Sequence, residues 1–217
     1  MFTRAALLLA AAIAAAQAAA RRPNFVLLLT DDQDIALAGW RPLPQVRRLI
    51  VDAGAEATRW FANSPVCCPS RTELLTGQMF HNVREQRFRD AWNCNDWHSA
   101  CGCMRANVSA TSEANIGTLL RAHGYDTFYA GKYLNPPAMR RHCPVPGSAA
   151  PRDEPQRYPV PRGWAHFYGI CTPSKHAYVN VTWNDNTRIV HTGDAYSTAL
   201  IGNRTLEWLP PRRARAP

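Results

Sequence analysis

The sequence predicts an α/β fold in which a mostly parallel central sheet is flanked by helices. Three observations carry that expectation. Asn24-Phe-Val-Leu-Leu-Leu-Thr30 is a continuous apolar run entered after Pro23 and closed by acids, the form of a strand buried on both faces of a parallel sheet. Tyr125-Asp-Thr-Phe-Tyr-Ala130, after the helix that Gly124 ends, is a second strand. Helical patterns lie between the two, and strand, helix, helix, strand in this order favours parallel pairing. At 217 residues the chain is one domain or one large piece of one, long enough for a sizeable core.

Taken in order, residues 1–20 read as a signal peptide. Arg4 supplies the charged start, Leu7 to Ala16 the apolar run, and Ala18-Ala19-Ala20 the small residues suited to cleavage. The competing membrane anchor is disfavoured because the run is short for a span and Arg21-Arg22 follow directly. With that segment removed no other transmembrane candidate remains, so the mature chain is expected to be exported and soluble. Pro44 to Asp52 predicts a helix, with Val46, Leu49, Ile50 and Ala53 at helical spacing and Gly54 as its stop. An extended segment near Ala57 to Phe61 leads to a helix with Pro69 at its first position and Gly77 as its stop. Residues His81 to Val108 form an irregular insertion rich in cysteine and tryptophan, which disulfides would hold where a core does not.

Ile116, Leu119 and Leu120 begin the next helix, which Gly124 ends, and Gly131-Lys132 stands at the end of the strand that follows. Pro136 to Pro161 has no periodicity and reads as a long surface loop tethered by Cys143. Gly163-Trp164 through Thr187 alternates, most clearly from Ala177 to Trp183, and suits a hairpin or edge strand. Ala195 to Leu209 is a last amphipathic helix, so the catalytic portion is expected over 21–209, with 210–217 a disordered basic tail.

Composition narrows the function. The formal charge is +9, from 25 Lys+Arg against 16 Asp+Glu. No long basic block precedes the tail and the aromatics are not interleaved with Lys/Arg, which argues against nucleic acid. An electropositive surface favours an anionic substrate such as a sulfated glycan, although an arginine-rich composition alone gives the same charge. Seven cysteines in an exported chain leave one odd thiol. Cys101-Gly102-Cys103 with His98 nearby has a spacing too short for a usual zinc finger, and in an oxidising compartment disulfides are the better reading. Asn107-Val-Ser109, Asn180-Val-Thr182 and Asn203-Arg-Thr205 are glycosylation sequons, consistent with the same secretory route.

The chemistry concentrates in Cys67-Cys68-Pro69-Ser70-Arg71-Thr72, with Leu74-Leu75-Thr76-Gly77 behind it. A reactive side chain ahead of a helix faces unpaired N–H donors and the positive end of the macrodipole, a favourable seat for an anion. The stretch resembles the C-x-P-S-R signature of the type I sulfatases. The resemblance extends to Pro23-Asn-Phe-Val26, Thr30-Asp-Asp-Gln-Asp34, Gly124 through Asn135, Gly163-Trp164, and Tyr196-Ser-Thr198 before Asn203-Arg-Thr205. Within the family it is most similar to the N-acetylglucosamine-6-sulfatases and the algal and fungal arylsulfatases.

The resemblance implies the N-terminal portion of an alkaline phosphatase-like α/β fold and a sulfuric ester hydrolase activity. It implies that Cys67 is converted to formylglycine by a formylglycine-generating enzyme and that its hydrated form attacks sulfur. The resulting sulfate ester is then resolved by the second hydroxyl, two easier steps in place of one. Asp31 and Asp32 would be carboxylate ligands to calcium, which Cys67 in its oxidised form would also contact. Arg71 would hold the formylglycine hydroxyls, and Lys132 would pair with a sulfate oxygen. The implied partners are a sulfated glycan or aryl sulfate and the oxidising enzyme, with neither nucleic acid nor membrane. The implied location is the secretory route, extracellular, periplasmic or lysosome-like.

Two departures qualify the match. Leu134 stands where many sulfatases have a histidine, as in the glucosamine-sulfatase subgroup. The second metal pair, a histidine and a second lysine of the family's later half have no counterpart before the chain turns to Pro210-Pro211-Arg212-Arg213. His166, His176, His191 and Asn184-Asp185-Asn186 do not replace them. The expectation is therefore little activity from these residues alone. The alternative reading is a truncated, non-catalytic sulfatase-like protein, or an incomplete gene product, that binds sulfated glycan at most. A phosphodiesterase is a distant third, since such enzymes lack the C-x-P-S-R signal.

Overall fold

The structure, a computed structural model, describes residues 22–36, 38–39, 41–79, 82, 114–134, 142–143, 158–171 and 178–209. The expected signal peptide, the insertion at 81–108 except residue 82, most of the 136–161 loop and the 210–217 tail lie outside the described residues. The chain divides into two units, residues 1–55 and 56–217.

In the first unit the run 24–30 forms no strand. Phe25, Val26, Leu27, Leu28 and Leu29 are all more than half exposed. Apolar composition makes a segment fit for a buried ladder, but a strand exists only when a neighbour accepts its N–H and C=O groups. No other extended segment among the unit's described residues does so. The helix expected from Pro44 is present in altered form. A short α turn, α1 (Pro44–Val46), continues into a π turn, Arg47–Val51, closed by the Asp52 N–H donating to the Arg47 carbonyl at 2.9 Å. The i→i+5 geometry also brings Arg47 Nε to 2.6 Å from the Asp52 carboxylate.

The second unit is built on a four-stranded sheet in the order β1 (Phe128–Gly131), β2 (His166–Ile170), β3 (Thr182–Asp185), β4 (Arg188–His191). β1 and β2 are parallel, with Tyr129 opposite Phe167; β2–β3 and β3–β4 are antiparallel. The α/β class holds, and among the described residues the sheet is mixed, with one parallel and two antiparallel pairs. The physical reason lies in the loops. A parallel pair needs a long crossover, which residues 132–165 supply, whereas Asn186-Thr187 joins β3 to β4 in two residues and forces an antiparallel hairpin. Both turn residues have left-handed φ, 48° and 84°, as such a two-residue connection requires. Asn186 fits that conformation; Thr187 is β-branched and strained in it.

Helices α2 (Cys67–Thr76), α3 (Ile116–Ala122) and α4 (Ser197–Trp208) complete the unit. The stretch Ala57 to Phe61, expected to be extended, is a turn followed by irregular chain with Trp60 and Phe61 exposed. Strand alternation sends side chains to two faces of the sheet. On one face Tyr129, Phe167 and Ile189 pack with Cys68 and Leu75 of α2 and with Tyr133, Leu134 and Trp164. On the other face Ala130, Tyr168, Ile170 and Trp183 pack with Leu200 and Ile201 of α4. Phe167 and Trp183 are fully buried, and burial of each such ring stabilises by about 2–3 kcal/mol. The expected tether of the long loop is present as a Cys143–Cys171 disulfide.

The Asn115 side chain caps α3 by accepting from the Thr118 N–H at 3.0 Å, while the Thr118 hydroxyl accepts the Asn115 N–H at 3.0 Å. The Asn115 amide also donates to the Arg162 carbonyl at 3.0 Å, drawing Gly163 against this first turn. Gly163 has φ 94°, and a Cβ there would lie 2.4 Å from the Thr118 nitrogen, so only glycine fits.

Candidate active site

Val66 is extended (φ −132°, ψ 135°), and Cys67 is the first residue of α2. Pro69 therefore occupies the third helical position and not the first, as expected from sequence. The consequence is small, because all N–H groups of the first turn lack intrahelical acceptors and a proline removes none that was in use. The first α-helical bond is from the Ser70 N–H to the Val66 carbonyl at 3.0 Å. No side chain caps this end. Gly77 ends the helix in the left-handed conformation, its N–H donating to the Glu73 carbonyl at 2.8 Å. Both the start near the cysteines and the glycine stop agree with the sequence reading.

The adjacent cysteines have different fates. Cys68 is buried and disulfide-bonded, whereas Cys67 is half-buried and is the free thiol among the described residues. Cys94, Cys101 and Cys103 lie outside the described residues. One helical turn on, Arg71 is 6% exposed, and its Nε donates to the Tyr133 carbonyl. Thr72, fully buried, donates to the Cys68 carbonyl at 2.9 Å, and Thr76 to the Thr72 carbonyl at 2.7 Å. These back-bonded hydroxyls hide polar groups on the face of α2 that meets the core.

Lys132 follows β1 and is half-buried between buried Gly131 and buried Tyr133. Gly131 has φ 110°, turning the chain out of the strand, and a Cβ there would press on Ile201 Cδ1 at 3.3 Å. The Tyr129 hydroxyl donates to the Lys132 carbonyl at 2.5 Å. Tyr129 and Tyr133 meet edge to face at 4.9 Å, and Tyr129 also packs on Trp164 and Phe167 at 5.1 and 5.7 Å. Burial pushes the Tyr129 phenol well above its ordinary pKa, with Arg71 opposing, so the hydroxyl keeps its proton and remains a donor.

Three of the residues singled out from sequence, Cys67, Arg71 and Lys132, thus stand on two elements joined by the Arg71–Tyr133 bond. Leu134 is buried in the core behind them. Asp31 and Asp32 stand in the first unit as consecutive exposed residues on a bend, Asp32 with φ 52°. Asn180 and Asn203 are exposed, the first before β3 and the second on α4; Asn107 lies outside the described residues. Asn184 and Asn186, set aside as metal ligands, have structural work. Asn184 donates to the His142 and Tyr158 carbonyls at 2.6 and 3.2 Å, and Asn186 accepts the Phe167 N–H at 2.8 Å. Sequence reading missed Tyr129, whose signal is a hydroxyl-bearing aromatic three residues ahead of the lysine. It also missed Thr72, whose signal is a threonine four residues after a buried cysteine.

A helix start that carries a free thiol and a strand end that carries Lys132 are thus joined through the Arg71–Tyr133 bond within an α/β unit. The family model described as Sulfatase matches residues 23–215, and the chain belongs to the sulfatase family. It is 35% identical over 191 residues to an N-acetylglucosamine-6-sulfatase of Homo sapiens, covering 86% of this chain and 31% of that protein. It is 34% identical over 192 residues to an extracellular sulfatase SULF-1 homolog of Drosophila melanogaster, covering 86% and 14%. An arylsulfatase of Volvox carteri is 30% identical over 188 residues, covering 85% and 25%. The chain therefore spans about a third or less of these curated relatives. No solved structure matches significantly.

Proposed function

We propose that this chain carries the nucleophile-bearing part of a sulfuric ester hydrolase acting on a sulfated sugar or aryl sulfate, built on an alkaline phosphatase-like fold. The observation that carries the reading is Cys67 itself. It is a free thiol at the first position of a helix whose next turn presents Arg71, beside a neighbouring cysteine that is bonded away. Oxidised to formylglycine, this side chain supplies the attacking oxygen.

The remaining residues have binding and orienting roles. The N-terminus of α2 favours an anion through its open N–H groups and dipole. Lys132 pairs with a sulfate oxygen as a compact charge. Arg71 is assigned to the formylglycine hydroxyls, and its bond to the Tyr133 carbonyl keeps α2 in register with the lysine loop. Asp31, Asp32 and the oxidised Cys67 are assigned to calcium by the family signature. Their donors are hard oxygens of the kind that ion takes, and the ion would add positive charge for the sulfate group. The secretory route, glycosylation at Asn107, Asn180 and Asn203, and processing by a formylglycine-generating enzyme belong to the same reading.

The test is mass spectrometry of the Cys67 peptide from protein secreted by cells that oxidise sulfatase cysteines. The expected result is a hydrazide-reactive aldehyde at Cys67, together with calcium-dependent hydrolysis of a chromogenic aryl sulfate by the enzyme that carries this stretch. An unmodified, alkylatable Cys67 in secreted material overturns the proposal.

A further inference from the structure

The carbonyls of two consecutive residues, Lys132 and Tyr133, are each taken by a side chain packed in the α2-face core, partly buried Tyr129 and buried Arg71. Tyr129 reaches the first from within β1, three residues back; Arg71 reaches the second from α2. The Tyr129 bond holds the peptide plane that follows Lys132 and the Arg71 bond holds the next one, so the direction in which the Lys132 side chain leaves the chain is restrained from its C-terminal side. The clamp sits where it is needed. Gly131, with φ 110°, turns the chain out of β1, and the Tyr129 bond holds the peptide just beyond that turn.

The Tyr129 hydroxyl is not explained by packing. The ring's contacts with Tyr133, Trp164 and Phe167 are ring contacts, which a phenylalanine would make as well. What the oxygen adds is the 2.5 Å bond to the Lys132 carbonyl. We propose that Tyr129 is a positioning residue that aims Lys132 at its anion, acting together with the Arg71 clamp on the next carbonyl. This inference rests on the reading of Lys132 as a sulfate-binding group.

The experiment is a double-mutant cycle in the enzyme that carries this stretch, with Tyr129→Phe, Lys132→Ala and the pair combined. The readouts are the affinity for inorganic sulfate and, with a chromogenic aryl sulfate, KM and kcat measured separately. Tyr129→Phe is expected to weaken sulfate binding and raise KM about five-fold, the effect of one lost hydrogen bond, with kcat changed less. Lys132→Ala is expected to weaken binding further. The double variant is expected to be no weaker than Lys132→Ala, because the hydroxyl acts only through the lysine. A Tyr129→Phe chain that binds as wild type does, or whose loss adds in full to that of Lys132→Ala, overturns the inference and leaves the sulfatase reading standing. A wild-type enzyme that binds no sulfate, or a Lys132→Ala enzyme that binds it unchanged, overturns the reading of Lys132 as a sulfate-binding group and this inference with it.

Discussion

The two faces of the β1–β4 sheet are built from the same strands and serve different ends. On the α2 face polar groups are brought inside and spent on backbone carbonyls: Arg71 on Tyr133, Tyr129 on Lys132, Thr72 on Cys68. On the α4 face the core is a stack of large rings. Tyr168 and Trp183 lie parallel at 4.3 Å, and Arg204 covers the Tyr168 ring at 5.1 Å while bonding Asp185 at 2.7 Å. Buried hydrogen bonds fix direction, and buried area supplies most of the stabilising free energy. Both faces therefore supply stability through buried rings, and the α2 face in addition holds geometry through its bonds to backbone carbonyls.

Substitutions separate the two. In the enzyme that carries this stretch, Cys67→Ala is expected to reduce aryl sulfate hydrolysis by about a thousand-fold or more, while chemical denaturation shows stability within about 0.5 kcal/mol of wild type. A Cys67→Ala chain that unfolds readily would break the comparison. Trp183→Ala, on the opposite face, is expected to cost about 3–5 kcal/mol by urea denaturation, since it removes a fully buried indole and leaves a cavity.

Alkaline pH probes both faces together. Burial raises the pKa of Tyr129 and Tyr133 on one side and of Tyr168 on the other. The unfolded chain releases these protons near pH 10 while the folded chain retains them. Stability is therefore full below about pH 10 and falls above it, by up to about 1.4 kcal/mol per pH unit for each tyrosine until the folded group titrates. Unfolding curves from pH 8 to 11 check this, and Tyr129→Phe is expected to flatten the decline.

The smallest effects sharpen the picture on the α4 side and at its hairpin. Arg204→Ala is expected to cost only about 1 kcal/mol, because its side chain is 42% exposed and its pairs with Asp185 and Glu207 are screened by solvent. Thr187→Gly is expected to stabilise by about 0.5–1 kcal/mol in thermal unfolding. It relieves a β-branched residue at φ 84°, a gain that exceeds the added freedom of the unfolded chain.

The same contrast explains what the sequence made legible. Tyr125–Ala130 and Asn24–Thr30 were both expected as strands, yet only the first became one, shifted to Phe128–Gly131. Its parallel partner is His166–Ile170, about 35 residues on, and no local pattern announces a pairing at that distance. Local signals did better where their causes are local. Gly77 and Gly124 were recognised as helix stops because a left-handed residue ends a helix whatever surrounds it. The Cys67 helix, Lys132 at the strand end and the Cys143 tether were legible for the same reason. Tyr129 was not, because its bond depends on a turn at Gly131 that brings the Lys132 carbonyl within reach of its hydroxyl. Asp31 and Asp32 were named from the signature, and the first unit shows them as exposed carboxylates on a bend.

The Cys143–Cys171 bridge closes a loop over a sequence separation of 28 residues and carries a consequence for where the chain can fold. Loop-closure entropy of that size is worth about 3–4 kcal/mol to the folded state. The bridge also anchors His142, whose carbonyl accepts from the fully buried Asn184 at 2.6 Å. Reduction would remove the entropic restraint and loosen an acceptor of a buried amide at once. A thiol-rich compartment therefore withdraws support from the middle of the sheet, and an oxidising one restores it before any substrate is met.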